Sequence, residues 1–401
     1  MSSKDLSSTG LLTIDLGAIQ SNWLYLKNNI QQANGSAVCA AVTKANAYGL
    51  GIRPVALSLL AVGCEEFFVA TLNEGEELRE ILGPKPTIYV LGGIIHGFNQ
   101  NESGERWAKF NLTPVLYDVE HVHQWVVFCE RQNQALACAL KVDTGMNRLG
   151  LSADELDELF DAIDSGKQKL TLFKPVLLMS HLACADDNEN TFNQQQLAAF
   201  DAAAKKTVKH FPYIRLSLSN SSGIFLDSRF HFDVCRPGIA LYGGNPVASH
   251  AGVERNPMQQ VISLSLPIMQ YKTIKKGESV GYGQTFTAEK EMHVAVVFGG
   301  YADGISRSLS NRGFAWCNGI SVPMIGRVSM DSIFFDVTEL DHRPDSVQLF
   351  KDNECLDLLA LAAGTIGYEI LTSLGSRYQR QYINENTDED AFNLLSASYD
   401  K

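Results

Sequence analysis

Residues 135–163 read ALACALKVDTGMNRLGLSADELDELFDAI. They open as an apolar run, Ala135–Val142, cross a polar loop that contains two glycines, and resume as a helix with its own start signal. Ser152 and Glu155 form an S-x-x-E capping box, in which two side chains satisfy backbone N–H groups at the helix start. Behind the box, Leu156, Leu159, Phe160 and Ile163 recur at the spacing of one helical face. A short buried strand followed by such a helix is a βα unit, and it requires a parallel neighbour.

Seven further apolar runs flank this one: Ala37–Thr43, Glu66–Thr71, Thr87–Leu91, Leu112–Tyr117, Lys174–Ser180, Arg215–Ser219 and Phe232–Cys235. Helical segments separate them, and one helix precedes them all, with Ile19, Trp23, Leu26 and Ile30 on a single face. Eight alternating units in roughly 200 residues predict an α/β fold of the (β/α)8 TIM-barrel type. The pattern changes near Gly243. Strand-like stretches at Val261–Leu266, His293–Phe298, Ser321–Ile325 and Ser332–Val337, with one helix near Asp357–Ala363, predict a smaller β-rich C-terminal domain. The expected division is 11–243 for the barrel, 244–383 for the β-rich domain and 384–401 for a mobile acidic tail. The Leu11–Leu16 strand is free to pair with either domain.

Composition narrows the function. Among 401 residues, 45% are hydrophobic and 19% charged, and no run approaches the roughly 20 apolar residues of a membrane span. A formal charge of −12 argues against a nucleic-acid partner. Met1–Gly10 is polar and lacks the basic-then-apolar order of a secretory signal, so the cytoplasm is the expected compartment. The eight cysteines, Cys39, Cys64, Cys129, Cys138, Cys184, Cys235, Cys317 and Cys355, show neither CxxC pairs nor zinc spacing. They read as reduced core residues, and no metal is expected.

A TIM barrel carries its chemistry at the carboxyl ends of its strands, and polar residues interrupt five of the runs at that place. The first run ends at Lys44, the fifth enters Lys141 and its loop, and the sixth ends at His181. The seventh leads into Asn220 and Ser221, and the eighth ends at Arg236. A lone lysine at a strand end is ordinarily a solvated charge. Five coincident interruptions point instead to one site.

The segment VTKANAYGLG (42–51) resembles the cofactor-lysine motif of the alanine racemases. The resemblance continues in order through KVDTGMNRLG (141–150), SHLACADD (180–187), LSNSSGIF (218–225) and RPGIALYG (236–243). It extends through VGYGQTF (280–286), GGYADG (299–304), GRVSMDS (326–332) and YEILTSLGSRY (368–378). It implies a pyridoxal 5'-phosphate enzyme that interconverts L- and D-alanine for cell-wall peptidoglycan. Lys44 would form a Schiff base with the cofactor, and Lys44 and Tyr282 would be acid/base groups on opposite faces of the substrate.

Further roles follow from the same resemblance. Arg148 would meet the substrate carboxylate and sit near Tyr282, since a guanidinium pairs bidentately with carboxylates. Arg236 would face the pyridine nitrogen; it can only donate, so that nitrogen would stay unprotonated. His181 would pack on the cofactor ring. Ser221, with neighbouring Asn220 and the N–H groups of Gly238 and Ile239, occupies the usual phosphate position after strands seven and eight, and Tyr48 joins by resemblance. Lys141 matches a lysine carbamylated in many members, Tyr301 a gating tyrosine, and Met330 and Asp331 a loop at the substrate carboxylate. A second gating tyrosine is sought among Tyr368, Tyr378 and Tyr382, because Ser376 falls near its expected place. The resemblance also implies a homodimer in which Tyr282 enters the neighbouring subunit's site. Three alternatives remain: a racemase of serine or a basic amino acid, a non-catalytic pyridoxal-phosphate carrier, and a related decarboxylase. The β-rich domain with VGYGQTF counts against the second, and Tyr282 with Ser221 against the third.

Overall fold

The computed structural model describes residues 10–94, 102–165, 172–247 and 256–384. Seven strands form a parallel sheet in chain order: Ala41–Val42, Glu66–Val69, Thr87–Val90, Thr113–Leu116, Ala137–Lys141, Lys174–Met179 and Arg215–Ser217. Several, such as Glu66–Val69 and Thr113–Leu116, are buried at every residue, as a sheet covered on both faces requires. The first run is broken at Ala40, and its earlier half, Val38–Cys39, pairs in parallel with Val234–Cys235. Backbone bonds from Asp233 to Leu216 and from Arg236 to Ser219, both 3.0 Å, tie that eighth run to the seventh. One strand thus serves two neighbours, and the barrel closes.

The helix Leu16–Ala33 buries Ile19, Trp23, Leu26 and Ile30, and Asp15 caps it by accepting from the Ala18 N–H at 2.9 Å. The Ser152–Glu155 capping box forms as the sequence predicts. The last two units differ from expectation, because short 3-10 turns, Ser222–Phe225 and Ile239–Tyr242, follow strands seven and eight where full helices were anticipated. Leu16–Ala33 packs on that side instead: Asn22 Nδ2 donates to the Leu241 carbonyl at 3.3 Å and Trp23 Nε1 to the Cys39 carbonyl at 3.2 Å.

The second sheet has eight strands, ordered Met292–Phe298, Ser332–Asp336, Ile320–Ile325, Phe314–Cys317, Ser346–Gln348, Ile262–Ile274, Leu11–Asp15 and Gln379–Ile383. Met292–Phe298 pairs back onto Ile262–Ile274, giving a barrel-like, mostly antiparallel unit. Leu11–Asp15 joins this sheet, antiparallel to Ile262–Ile274 and parallel to Gln379–Ile383, which answers the question its sequence left open. A separate two-stranded hairpin, Ser279–Val280 with Phe286–Thr287, carries Tyr282 at its tip. Beyond Asn384, the expected acidic tail lies outside the described residues. All eight cysteines are free, and only Cys184 is not buried.

Candidate active site

Lys44 follows the strand Ala41–Val42 and opens a turn of unusual hand. Ala45, Asn46, Ala47 and Tyr48 have φ of 54°, 55°, 52° and 55°, so four consecutive non-glycine residues are left-handed. That conformation costs about 1–2 kcal/mol per residue, so tertiary contacts must hold it. Asn46 Oδ1 accepts from the Ile52 N–H at 2.7 Å, and Glu74 Oε1 accepts from the Ala45 N–H at 2.7 Å. From the C-terminal strand, Arg380 Nη1 donates to the Gly49 carbonyl at 2.5 Å and the Tyr382 hydroxyl to the Leu50 carbonyl at 2.9 Å.

Lys141 ends its strand, and Asp143 folds the loop beyond it by accepting from the N–H groups of Gly145 (2.9 Å) and Asn147 (3.1 Å). The Leu151 N–H returns to the Lys141 carbonyl at 2.8 Å, leaving Arg148 exposed on the loop rim. Behind His181, buried Gln196 donates to the His181 carbonyl (2.9 Å) and to Thr144 Oγ1 (3.1 Å) and accepts from the Ala183 N–H (2.8 Å). Thr144 in turn bonds Ser180 Oγ at 2.8 Å, so the fifth and sixth strand ends are locked together.

These side chains form one electropositive cluster. Burial lowers the Lys44 ammonium pKa first and the Arg148 charge second, while Glu74 opposes them. Lys141 falls to about 8, from burial and then from Arg148, Arg236 and Lys44, against the pull of Asp143. His181 is pushed well below the usual imidazole range by burial and by Arg236, Lys141, Arg148 and Lys44, so it is neutral. Arg236 is buried and lowered to about 10, donating to Ser217 Oγ and to the carbonyls of Ser180 (2.6 Å) and Leu218 (3.3 Å). Its guanidinium carbon stands 6.0 Å from the Phe68 ring centroid. Among the described residues, none of these four cations forms an ion pair. Nor does any group of three or more His, Cys, Asp or Glu side chains have the placement to hold a metal.

Beside the cations lies a cradle of donors. Ser221 Oγ draws together the N–H groups of Gly238 (2.8 Å) and Ala240 (3.3 Å), where the sequence pointed to Gly238 and Ile239. The Tyr48 hydroxyl lies so close to Gly238 that any Cβ there would collide with it. Asn220 caps the following turn, its Oδ1 accepting from the Gly223 N–H at 2.9 Å. Among the described residues, buried Thr43 Oγ1 has no hydrogen-bond partner. Unpaired cations, converging N–H and hydroxyl donors and a neutral imidazole fit a phosphorylated, ring-bearing group with an anionic substrate.

The C-terminal candidates gather elsewhere on the chain. Tyr282 is 74% exposed, and no hydrogen bond or ring contact among the described residues joins it to Lys44. Tyr301, Met330 and Asp331 are stitched into one unit: the Tyr301 N–H reaches the Ser329 carbonyl at 3.0 Å and the Ala302 N–H the Met330 carbonyl at 3.2 Å. Arg377 fastens that unit, bidentate to buried Asp303 at 2.7 and 2.8 Å and at 2.8 Å from Asp331. Of the three late tyrosines, Tyr378 is buried, Tyr382 is bonded to Leu50, and Tyr368 stacks obliquely on Tyr48 with centroids 5.8 Å apart. Sequence reasoning missed Glu74, Gln196, Arg377 and Arg380. Glu74 did carry a signal, because Thr71 and Glu74 repeat the capping-box pattern; Gln196 carried none.

Two family models match, the alanine racemase N-terminal domain over residues 14–246 and the C-terminal domain over 261–382. An alanine racemase of Rhodospirillum rubrum is 44% identical over 94% of this chain and 96% of its own length. A catabolic alanine racemase of Agrobacterium fabrum is 43% identical over 94% of this chain and 92% of its own. The crystal structure of the Bartonella henselae alanine racemase, with covalently bound pyridoxal phosphate, superposes with a TM-score of 0.84 at 36% identity. It covers 94% of this chain and 100% of that one. By barrel, strand-end cluster and matched length, the chain belongs to the alanine racemase family.

Proposed function

We propose that this protein is a pyridoxal-5'-phosphate-dependent alanine racemase that uses Lys44 and Tyr282 as its two acid/base groups. The observation that carries the reading is the cationic cluster of Lys44, Lys141, Arg148 and Arg236 beside the Ser221 hydroxyl and the N–H groups gathered on it, an arrangement that calls for anions. When bound, pyridoxal phosphate supplies an electrophilic carbon for the amino group and a conjugated ring that accepts the electron pair left when the Cα proton departs. Ser221, Gly238, Ile239, Ala240 and Tyr48 hold the phosphate, with Asn220 shaping their loop. His181, being neutral, lies against the ring without adding charge. Arg236 offers only donors to the ring nitrogen, which restrains electron withdrawal and so disfavours amino transfer.

Lys44, its pKa lowered by burial and by Arg148, exchanges a proton at Nζ, and Tyr282 exchanges one at its hydroxyl on the opposite face. The exposure of Tyr282 supports its entering the site of a second copy in a homodimer, where Arg148 neighbours it and holds the substrate carboxylate. A carbamate on Lys141 would turn a repelling cation into an anion that orients Arg148. The Met330–Asp331 backbone completes the carboxylate site and Tyr301 gates it, with Tyr368 as the second gate because of its contact with Tyr48. The domain division at 243/244, a cytoplasmic location and a supply of D-alanine to peptidoglycan belong to the same reading. Among the described residues, no single helix is long and apolar enough to cross a membrane.

Chiral analysis in deuterium oxide tests the reading. L-Alanine should give D-alanine deuterated at Cα, far faster than serine, lysine or arginine give their enantiomers. Turnover confined to one of those amino acids would replace the alanine assignment. The absence of exchange with any of them would remove the racemase reading.

A further inference from the structure

The left-handed turn after Lys44 is held differently at its two ends. The far end is fixed from the C-terminal strand by Arg380 and Tyr382, and a Cβ on Gly49 would lie 2.7 Å from the Leu371 carbonyl. At the near end, next to Lys44, one side chain reaches in. Glu74 divides its carboxylate: Oε1 accepts from the Ala45 N–H at 2.7 Å, and Oε2 accepts from Ala70 (2.7 Å) and Thr71 (3.1 Å). The second oxygen completes the capping box of the helix Leu72–Leu82, whose other half is Thr71 Oγ1 accepting from the Glu74 N–H at 3.3 Å. The first oxygen does nothing for that helix. It reaches 29 residues back along the chain to the peptide N–H that follows Lys44.

We propose that Glu74 is a positioning residue for the reaction, its Oε1 holding the left-handed turn in place and thereby aiming Lys44 into the barrel mouth. A non-glycine residue at φ 54° returns to the right-handed region unless something opposes it; for Ala45 the Gly49 N–H holds the carbonyl at 2.8 Å, and the side chain that holds the N–H on the Lys44 side is Glu74. Because Ala45 adjoins Lys44, a flip of that peptide swings the direction in which the lysine side chain leaves the backbone. The inference rests on Lys44 being the cofactor lysine.

Glu74→Gln separates the two oxygens. The glutamine carbonyl can keep the cap, while its amide NH2, a donor only, would face the Ala45 N–H and break the link to the turn. In cofactor-free protein, amide exchange of the segment 43–50 should rise at least tenfold, while that of Leu72–Leu82 stays within threefold. Added pyridoxal phosphate should become fixed to Lys44, read by borohydride trapping, at least tenfold more slowly. The kcat for alanine should fall tenfold or more with KM within threefold. Ala45→Gly in the same background should recover at least threefold of the fixation rate, because glycine accepts a positive φ without the clamp. If Glu74→Gln does not fold, Glu74→Asp, which keeps both oxygens on a shorter arm, should show the same changes at smaller size. Unchanged exchange at 43–50, equal loosening of both segments, or a loss that Ala45→Gly does not relieve would overturn the proposal. A wild-type protein that fixes no cofactor on Lys44 would sink the reading of Lys44 instead, and the exchange measurement would still decide the clamp.

Discussion

At Lys44, burial and Arg148 push the ammonium toward losing its proton while Glu74 pulls the other way, and the net shift is downward. In the direction where Lys44 accepts the Cα proton, the rate should therefore fall as pH drops through that lowered value. Its midpoint should lie below the ordinary lysine value of about 10.4. A midpoint at or above about 10.4 would contradict this. Removing the side chain in Lys44→Ala should cost ~10³-fold or more in both directions, measured by chiral assay. Lys141 makes a separate prediction in protein freed of cofactor and carbon dioxide. Its folded pKa of about 8 is below the ordinary value, so the unfolded chain binds more protons between about 8 and about 10.4. Stability should then rise with pH across that window, by about 1–3 kcal/mol, and be flat in Lys141→Met after subtraction of the common background. No difference between the two proteins would mean that the Lys141 shift is absent. Arg236→Glu should raise amino transfer relative to racemisation by about tenfold. It should also cost about 2–3 kcal/mol of stability, because a carboxylate would meet the Ser180 and Leu218 carbonyls that Arg236 now satisfies. An unchanged product ratio would show that Arg236 does not govern the ring.

The barrel strands separate stability from chemistry along their length. Lys141 closes its strand at one end, whereas Glu66 and Arg215 open theirs at the other, joined as an ion pair with the Tyr89 hydroxyl 2.7 Å from Arg215. Arg215→Met should destabilise the fold by about 3 kcal/mol, since it strands a nearly buried carboxylate. The kcat of the folded fraction should stay within about threefold, because chemistry sits at the opposite barrel face. A large fall in kcat at unchanged stability would refute that division. Elements whose burial follows one period were legible from sequence: the eight barrel runs, the helix Leu16–Ala33 and the capped helix Ala153–Asp164. Elements made by distant partners were not. Ile262–Ile274 outruns the expected Val261–Leu266 because Pro267 and a bulge near Ile268 interrupt its pattern, and most of its later residues are not buried. Gln379–Ile383 is polar and is a strand because Leu11–Asp15 offers it an edge. The left-handed turn was illegible for the same reason, since Ala45, Asn46, Ala47 and Tyr48 have no local cause to adopt it. The cationic cluster was readable one strand end at a time; the side chains that hold it, Glu74, Gln196 and Arg380, act across the fold.

At the scale of the molecule, the chain exposes Tyr282 at 74%, Leu361 at 75% and Ile366 at 60%, and among the described residues no hydrogen bond or ring contact joins Tyr282 to Lys44. Under the proposed twofold assembly, each site takes Lys44 from one chain and Tyr282 from the other. Mixing inactive Lys44→Ala with inactive Tyr282→Ala should regenerate roughly a quarter of wild-type activity, since half the dimers are mixed and each holds one intact site. Proven subunit exchange without recovered activity would return Tyr282 to its own chain or remove it from the reaction. The anchoring of the cofactor underlies every step, and it can be read directly. The protein is incubated with pyridoxal phosphate, reduced with borohydride, digested and mapped by mass spectrometry. One reduced pyridoxyl-phosphate adduct per chain is expected, on Lys44, with loss of activity in proportion to labelling. An adduct on Lys141 or another lysine, or full activity after Lys44 is labelled, would contradict it.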